Sequence, residues 1–198
     1  MAERKYEQLL NIRTSGMREW KNHTHYNRYE ATPYKALDEL FKNYRLNKTD
    51  EVVDFGSGRG RVSFYIHNRF KVPVTGVEVN DKTFEEALDN KVSYRHKAES
   101  IKAPIRFDFA LAEQFEVDEA DNKFYFFNPF SVQIFGQVVE NILRSVEEQR
   151  RSVDIILYYP TAKYKKFIAE NTPFKLLNKV RVPGARDKKE KFVIYRLA

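Results

Sequence analysis

The stretch Glu51-Val-Val-Asp54-Phe55-Gly56-Ser57-Gly58-Arg59-Gly60-Arg61 decides the fold. An apolar run breaks into three alternate glycines beside an acid, and Val74-Thr-Gly-Val-Glu78 follows about one helix length later, ending in a second acid. Glycines at such a turn let the backbone approach a ligand closely. The layout is that of a strand, a ligand-binding turn, a helix and a second strand.

Length and composition fit this reading. A chain of 198 residues suits one α/β domain with a full core. The expected organisation is a single domain over 1-198, with an N-terminal helical cover over 1-48 and a Rossmann-like core over 49-198. The opening Met-Ala-Glu-Arg-Lys-Tyr-Glu has no apolar core of a signal peptide, and no apolar run approaches the ~20 residues that span a bilayer. A cytoplasmic protein with no membrane association is expected. Without cysteine, disulfides, thiolate nucleophiles and cysteine-built zinc sites are excluded, and no metal is expected.

Charge is unevenly placed. Ten of the 35 Lys and Arg fall between Thr161 and Lys191 against three of the 28 acids, a local excess equal to the net charge of +7. This basic C-terminal segment suits either a solvated surface or contact with nucleic-acid phosphates.

Short apolar runs alternate with helical stretches along the chain. Helices are expected over 2-12, 34-45, 61-69, 82-101, 132-150 and 162-170, with Pro104 stopping the fourth. Strands are expected over 51-55, 72-77, 105-111, 123-127 and 153-159, and the runs 174-182 and 191-197 form a hairpin around Pro183-Gly184. Alternation of this kind makes a mainly parallel sheet covered by helices on both faces. Ligands of such sheets sit at the carboxyl ends of the strands. The turns at Gly56 to Gly60, Glu78 to Asn80, Ala112-Glu113 and Asn128-Pro129 all fall on that edge.

Glycine spacing separates two cofactor classes. A dinucleotide turn reads G-x-G-x-x-G, and Arg61 stands where its third glycine belongs. Asp54 would also sit poorly beside a pyrophosphate, whereas an acid near exposed amides suits a zwitterionic amino-acid cofactor. On Asp54-Phe-Gly-Ser-Gly-Arg-Gly60, Glu78, Ala112-Glu113 and Phe126-Phe-Asn128-Pro129-Phe130, the chain from about residue 29 onward resembles the class I S-adenosylmethionine-dependent methyltransferases. That resemblance implies a three-layer αβα sandwich whose seven-stranded, mostly parallel sheet ends in an antiparallel hairpin. It implies S-adenosyl-L-methionine as cofactor and transfer of its sulfonium methyl by in-line displacement.

Carried over residue by residue, the resemblance puts the methionine part on Gly56, Ser57, Gly58 and Gly60, with Asp54 near its ammonium. Glu78 would accept the ribose hydroxyls, with Val79 and Asn80 beside the adenine and Ala112 and Glu113 at its edge. The stretch Tyr26-Asn-Arg-Tyr29-Glu-Ala-Thr32-Pro33 is similar to a segment such enzymes lay over the cofactor. There Thr32 is expected to cap a helix begun by Pro33, leaving its amides for the methionine carboxylate. Asn128 and Pro129 lie near the methyl group, Asn128 being the catalytic candidate, with Phe130, Tyr29 and Tyr159 on the substrate side. Nucleobase-amine methyltransferases carry (Asp/Asn/Ser)-Pro-Pro-aromatic at this loop, whose side-chain oxygen and a backbone carbonyl accept the amine hydrogens. Here the second Pro is missing and Phe130 arrives one position early, so small-molecule, protein and nucleobase acceptors all stay open.

Other polar residues signal less. His23 and His25 lack a third metal ligand, His67 and His96 are expected to face solvent, and Trp20 reads as a packing anchor. Ser57 lacks the surroundings of a nucleophile elbow. A nucleic-acid-binding or adaptor protein on a degenerate methyltransferase fold is the alternative, and an NAD-type oxidoreductase a more distant one.

Overall fold

The computed structural model describes residues 2–16, 25–27 and 29–198; Trp20 and His23 lie outside them. In chain order the elements are α1 (Ala2–Leu10), α2 (Tyr34–Asn43), β1 (Glu51–Phe55), α3 (Arg61–Phe70), β2 (Val74–Glu78), α4 (Asp81–Arg95), β3 (Ile105–Phe109), a 3-10 turn (Ala112–Gln114), β4 (Asp121–Phe126), α5 (Val132–Glu148), β5 (Val153–Tyr158), α6 (Ala162–Asn171), β6 (Lys175–Arg181) and β7 (Lys191–Leu197). The strands form one seven-stranded sheet in the order β3-β2-β1-β4-β5-β7-β6. The four consecutive pairs from β3 to β5 are parallel, and β7 runs antiparallel to both β5 and β6. The expected three-layer architecture is what forms.

Strand periodicity explains the layers. In β1, Val52 joins the buried cluster containing α2 and α3 residues such as Leu37 and Phe64, while Val53 and Phe55 join the one containing Phe135 and Ile142 of α5. Alternate side chains leave a strand on opposite faces, so Asp54 points with Val52 towards α3. The chain lays β2 and β3 to one side of β1 and then crosses to β4 on the other. That reversal between β1 and β4 is where an open α/β sheet leaves a crevice at its carboxyl edge.

Three sequence expectations change here. Helix α4 ends at Arg95 instead of Ile101; Ala98 and Ile101 are buried from successive turns, with Ala98 N–H donating to Tyr94 O and Ile101 N–H to Ala98 O. The apolar spacing there marked packing without helix. His67 is buried rather than solvent-facing, its ring nitrogens meeting Tyr94 Oη at 2.7 Å and Ala103 O at 2.9 Å. Thr32 does not cap α2: Pro33 holds the cap position, and Thr32 Oγ1 is buried against Tyr125 Oη at 2.8 Å. The first amide of α2, Tyr34 N–H, donates instead to Glu3 Oε1 of α1 at 3.0 Å. No helix among the described residues is long and apolar enough to cross a membrane.

Candidate functional site

The turn after β1 is held from both ends. Gly56 and Ser57 N–H donate to Val77 O at 2.9 and 3.1 Å, and Gly58 N–H donates to Glu78 Oε2 at 2.7 Å. The other oxygen of Glu78 accepts Val79 N–H at 2.8 Å and Asn80 N–H at 2.7 Å. Gly56 and Gly58 take φ of +73° and +53°, and a Cβ on them would overlap Pro129 and the Tyr29 ring respectively. Only glycine fits both the conformation and the close cover.

Two acids lie under this turn without a cation. Asp54 is 3% exposed and accepts Ser63 Oγ–H at 2.7 Å; burial, with the Glu78 charge adding, pushes its carboxyl up to about 7. Glu78 is raised too, because its burial outweighs the amides it accepts. Ser57 Oγ is buried with no hydrogen-bond partner among the described residues. Uncompensated acids, an orphan hydroxyl and a close glycine turn make a set that a cationic, hydroxyl-bearing ligand would satisfy.

The cleft opens in front of this turn. Gly56, Glu78, Val79, Asn80, Ala112, Tyr29, Pro129 and Phe130 line it, as do Tyr26 and Asn27 of the stretch expected over the cofactor, Phe127, and Thr83, which the sequence did not single out. It encloses about 60 Å³, room for a few waters against the roughly 300–1,000 Å³ of an ordinary ligand pocket. The space is taken by residues 25–27 and Tyr29, a strap across the cleft. Tyr26 pairs with Phe130 in an antiparallel bridge, and Tyr26 Oη–H donates to Glu113 Oε2 at 2.7 Å. Asn27 N–H donates to Pro129 O at 2.9 Å, its Nδ2–H to Asn128 O at 2.7 Å, and Ser131 N–H to His25 O at 2.7 Å. Tyr29 lies on Gly58, under the Arg59 guanidinium, and donates to Thr14 O at 2.7 Å.

Several expected site residues lie elsewhere. Thr32 sits in the core below the cleft. Tyr159 Oη–H donates to Asp187, tying β5 to the turn before β7 and taking Tyr159 away from the cleft. Phe130 reaches the cleft wall but is only 2% exposed, packed edge-on against Tyr26 and Phe126, so its faces are not open for stacking. Glu113 has its carboxylate engaged by Tyr26. Asn128 lies between two cleft residues in the left-handed region at φ +42°, which asparagine tolerates, and its side chain makes no hydrogen bond among the described residues. There, too, no group of three or more His, Asp or Glu is placed to hold a metal ion.

Arg61 has a role the glycine comparison hid. Buried at the start of α3, its guanidinium pairs with Glu3 and Glu7, takes in Thr14 Oγ1 at 2.7 Å and stacks over Tyr34. The i, i+4 acids of α1 are the sequence signal for such a partner.

With this geometry in view, the comparisons with known proteins decide the family. The family model described as ribosomal RNA adenine dimethylase matches residues 21–177, more than three quarters of the chain. The chain belongs to that family. Its members are S-adenosylmethionine-dependent methyltransferases, which fixes the cofactor class. An rRNA adenine N-6-methyltransferase of Limosilactobacillus reuteri is 25% identical over 41% of this chain and 33% of its own length. A protein-lysine N-methyltransferase of Saccharolobus islandicus is 35% identical over 31% of this chain and 39% of its own length. The chain thus spans only a third to two fifths of the length of these curated relatives. Among solved structures, an RNA methyltransferase of Salinibacter ruber in complex with S-adenosyl-L-homocysteine shares the fold, with a TM-score of 0.54 and 14% identity over 84% of this chain and 92% of that one.

Proposed function

We propose that this family member methylates a primary amine of RNA, the exocyclic nitrogen of an adenine. The observation that carries this reading is Asn128, two residues beyond the end of β4 and between the cleft residues Phe127 and Pro129, whose amide side chain makes no hydrogen bond among the described residues, in a chain of the adenine dimethylase family. When bound, S-adenosyl-L-methionine supplies an electrophilic methyl on a sulfonium. Glu78 and Asp54 would meet its hydroxyl and cationic groups, and the Gly56 to Gly60 turn its methionine part. Asn128 Oδ1 accepts a hydrogen of the amine, orienting the nitrogen lone pair at the methyl carbon; such alignment is the main demand of an in-line transfer. Val79, Asn80 and Ala112 form the remaining wall of the cleft.

Charge supports a polymer as acceptor. Strand β6 runs parallel to β5, so Arg181 and the turn with Arg186, Lys188 and Lys189 reach the same edge as the cleft, and all four are exposed. Phosphate contacts of this kind position an RNA without reading its sequence. A second reading, transfer to a lysine amine, has the lysine methyltransferase similarity and the shortened Asn128-Pro129-Phe130 loop in its favour.

The test is methyl transfer from labelled S-adenosylmethionine to an adenine-containing RNA transcript and, in parallel, to a lysine-rich peptide. Label in N6-methyladenine supports the first reading. Label in peptide alone replaces it with the second.

A further inference from the structure

The turn between β6 and β7 sorts its charges by direction. Its two acids turn back onto the end of β5: Glu190 Oε1 accepts Tyr158 Oη–H at 3.1 Å, and Asp187 accepts Tyr159 Oη–H and, at 2.8 Å, Lys189 N–H. Those two bonds, with the Lys189 charge adding, hold the Asp187 carboxyl below its ordinary range, so it stays ionised. Arg181, Arg186, Lys188 and Lys189 are exposed and make no ion pair with a described residue. Lys35, in the first turn of α2, joins them, its exposed ammonium lying 3.4 Å from the point where a Gly184 side chain would begin. A surface groove of about 440 Å³ runs between the start of α2 and this turn, lined by Lys35 and Arg186 as well as by Asp187 and Glu190.

This rim is tied to the cleft. The Tyr158 ring meets Phe127, a cleft residue, edge-on at 4.7 Å between centroids, and Phe192 of β7 at 4.6 Å. Tyr159 N–H donates to Lys191 O at 3.0 Å. Glu30, also on the cleft wall, is near enough for its charge to act on both tyrosines. From the cleft outward come Phe127 and Glu30, then the tyrosines with their acids, then the cations. We propose that the β6–β7 turn, together with Lys35 of α2, is the surface that holds the RNA backbone, and that the acids between it and the cleft keep phosphate away from the cleft mouth. This rests on the amine-of-RNA reading above and adds where the polymer lies. Lysine binds phosphate as a point charge, so a row of exposed ammonium groups suffices to hold a backbone. Like charges set against one another repel wrong placements, so carboxylates on the inner side leave the phosphates outside. A base that has left its stack carries no charge and crosses them.

The experiment reads affinity for a labelled single-stranded, adenine-containing RNA oligonucleotide across a salt series, with a thermal melt and an S-adenosylmethionine titration to check that each protein is folded. Two triple variants are compared with wild type. Lys35→Ala/Lys188→Ala/Lys189→Ala strips the rim, and Arg45→Ala/Lys48→Ala/Lys175→Ala removes the same charge from exposed positions before β1 and at the start of β6, on the amino edge. Each phosphate contact to a single strand contributes about 0.7 to the slope of log affinity against log salt. The rim variant is expected to lower that slope by about 2 and the affinity at about 0.1 M salt by roughly a hundredfold, while the amino-edge variant leaves the slope unchanged. Equal losses in both variants reduce the effect to net charge and overturn the surface. Wild type that methylates RNA, with a rim variant that binds it as tightly and with the same slope, overturns the surface alone. Wild type that binds S-adenosylmethionine but labels only a lysine-rich peptide overturns the RNA reading, and the surface falls with it.

Discussion

The two edges of the sheet bury acids in opposite ways. At the amino edge Asp154, fully buried in β5, accepts two bonds from Arg196 at 2.7 and 2.8 Å and one from Tyr44, and Lys123 bridges it to Asp50 at 3.6 and 3.2 Å. Burial alone would raise Asp154, but these partners outweigh it and hold the carboxyl below its ordinary range. At the carboxyl edge Asp54 and Glu78 are as deeply buried, have only hydroxyl and amide partners, and are raised. One edge is closed on itself. The other carries negative charge that the chain does not neutralise, the arrangement a site for a cationic ligand requires.

Substitutions at the two edges should therefore fail differently. The largest effect is expected from Asp154→Ala, which strands Lys123, Arg196 and Tyr44; a loss of roughly 3–5 kcal/mol should appear in urea denaturation. Next comes Glu78→Gln: losing the charge should lower affinity for S-adenosylmethionine about tenfold to a hundredfold, the worth of one charged hydrogen bond. Because one of the two oxygens that accept the turn's amides becomes a donor, stability should also fall by about 1–3 kcal/mol. Calorimetric titration beside a thermal melt separates the two quantities. Tyr44→Phe removes one donor from Asp154 and should lower stability by about 1.5 kcal/mol, with cofactor affinity untouched.

A further effect is a pH dependence. Because the Asp54 carboxyl is raised to about 7 from 3.8, the native state binds more protons than the unfolded one between those values. Its stabilising contribution is complete below the lower value and is lost as pH rises through the higher. Asp54→Asn keeps the acceptor for Ser63 and cannot ionise, so its melting temperature should exceed that of wild type more at pH 8 than at pH 5. Each kcal/mol of difference corresponds to about 2–4 °C.

Features written in local sequence were legible. The glycine turn, Glu78, the strand alternation and the terminal hairpin all depend on periodicity or on residues a few positions apart, and the sheet forms as expected. Side-chain facing was not. Thr32 reads as a cap beside Pro33, but Tyr125 of β4 captures it and Glu3 of α1 takes the helix amide. His67 reads as a solvent-facing residue of its helix, until Tyr94 and Ala103 bury it. The strap was visible as an aromatic stretch, whereas the match of Asn27 to Asn128 and Pro129, about a hundred positions away, has no local signature.

The most direct test of an uncompensated acidic edge is calorimetric titration of S-adenosylmethionine at pH 6.5 in two buffers of unequal ionisation enthalpy. Binding accompanied by proton release in wild type, with the release lost in Asp54→Asn, is the predicted result. No binding at millimolar ligand, or binding with the same proton balance in both proteins, would contradict the account.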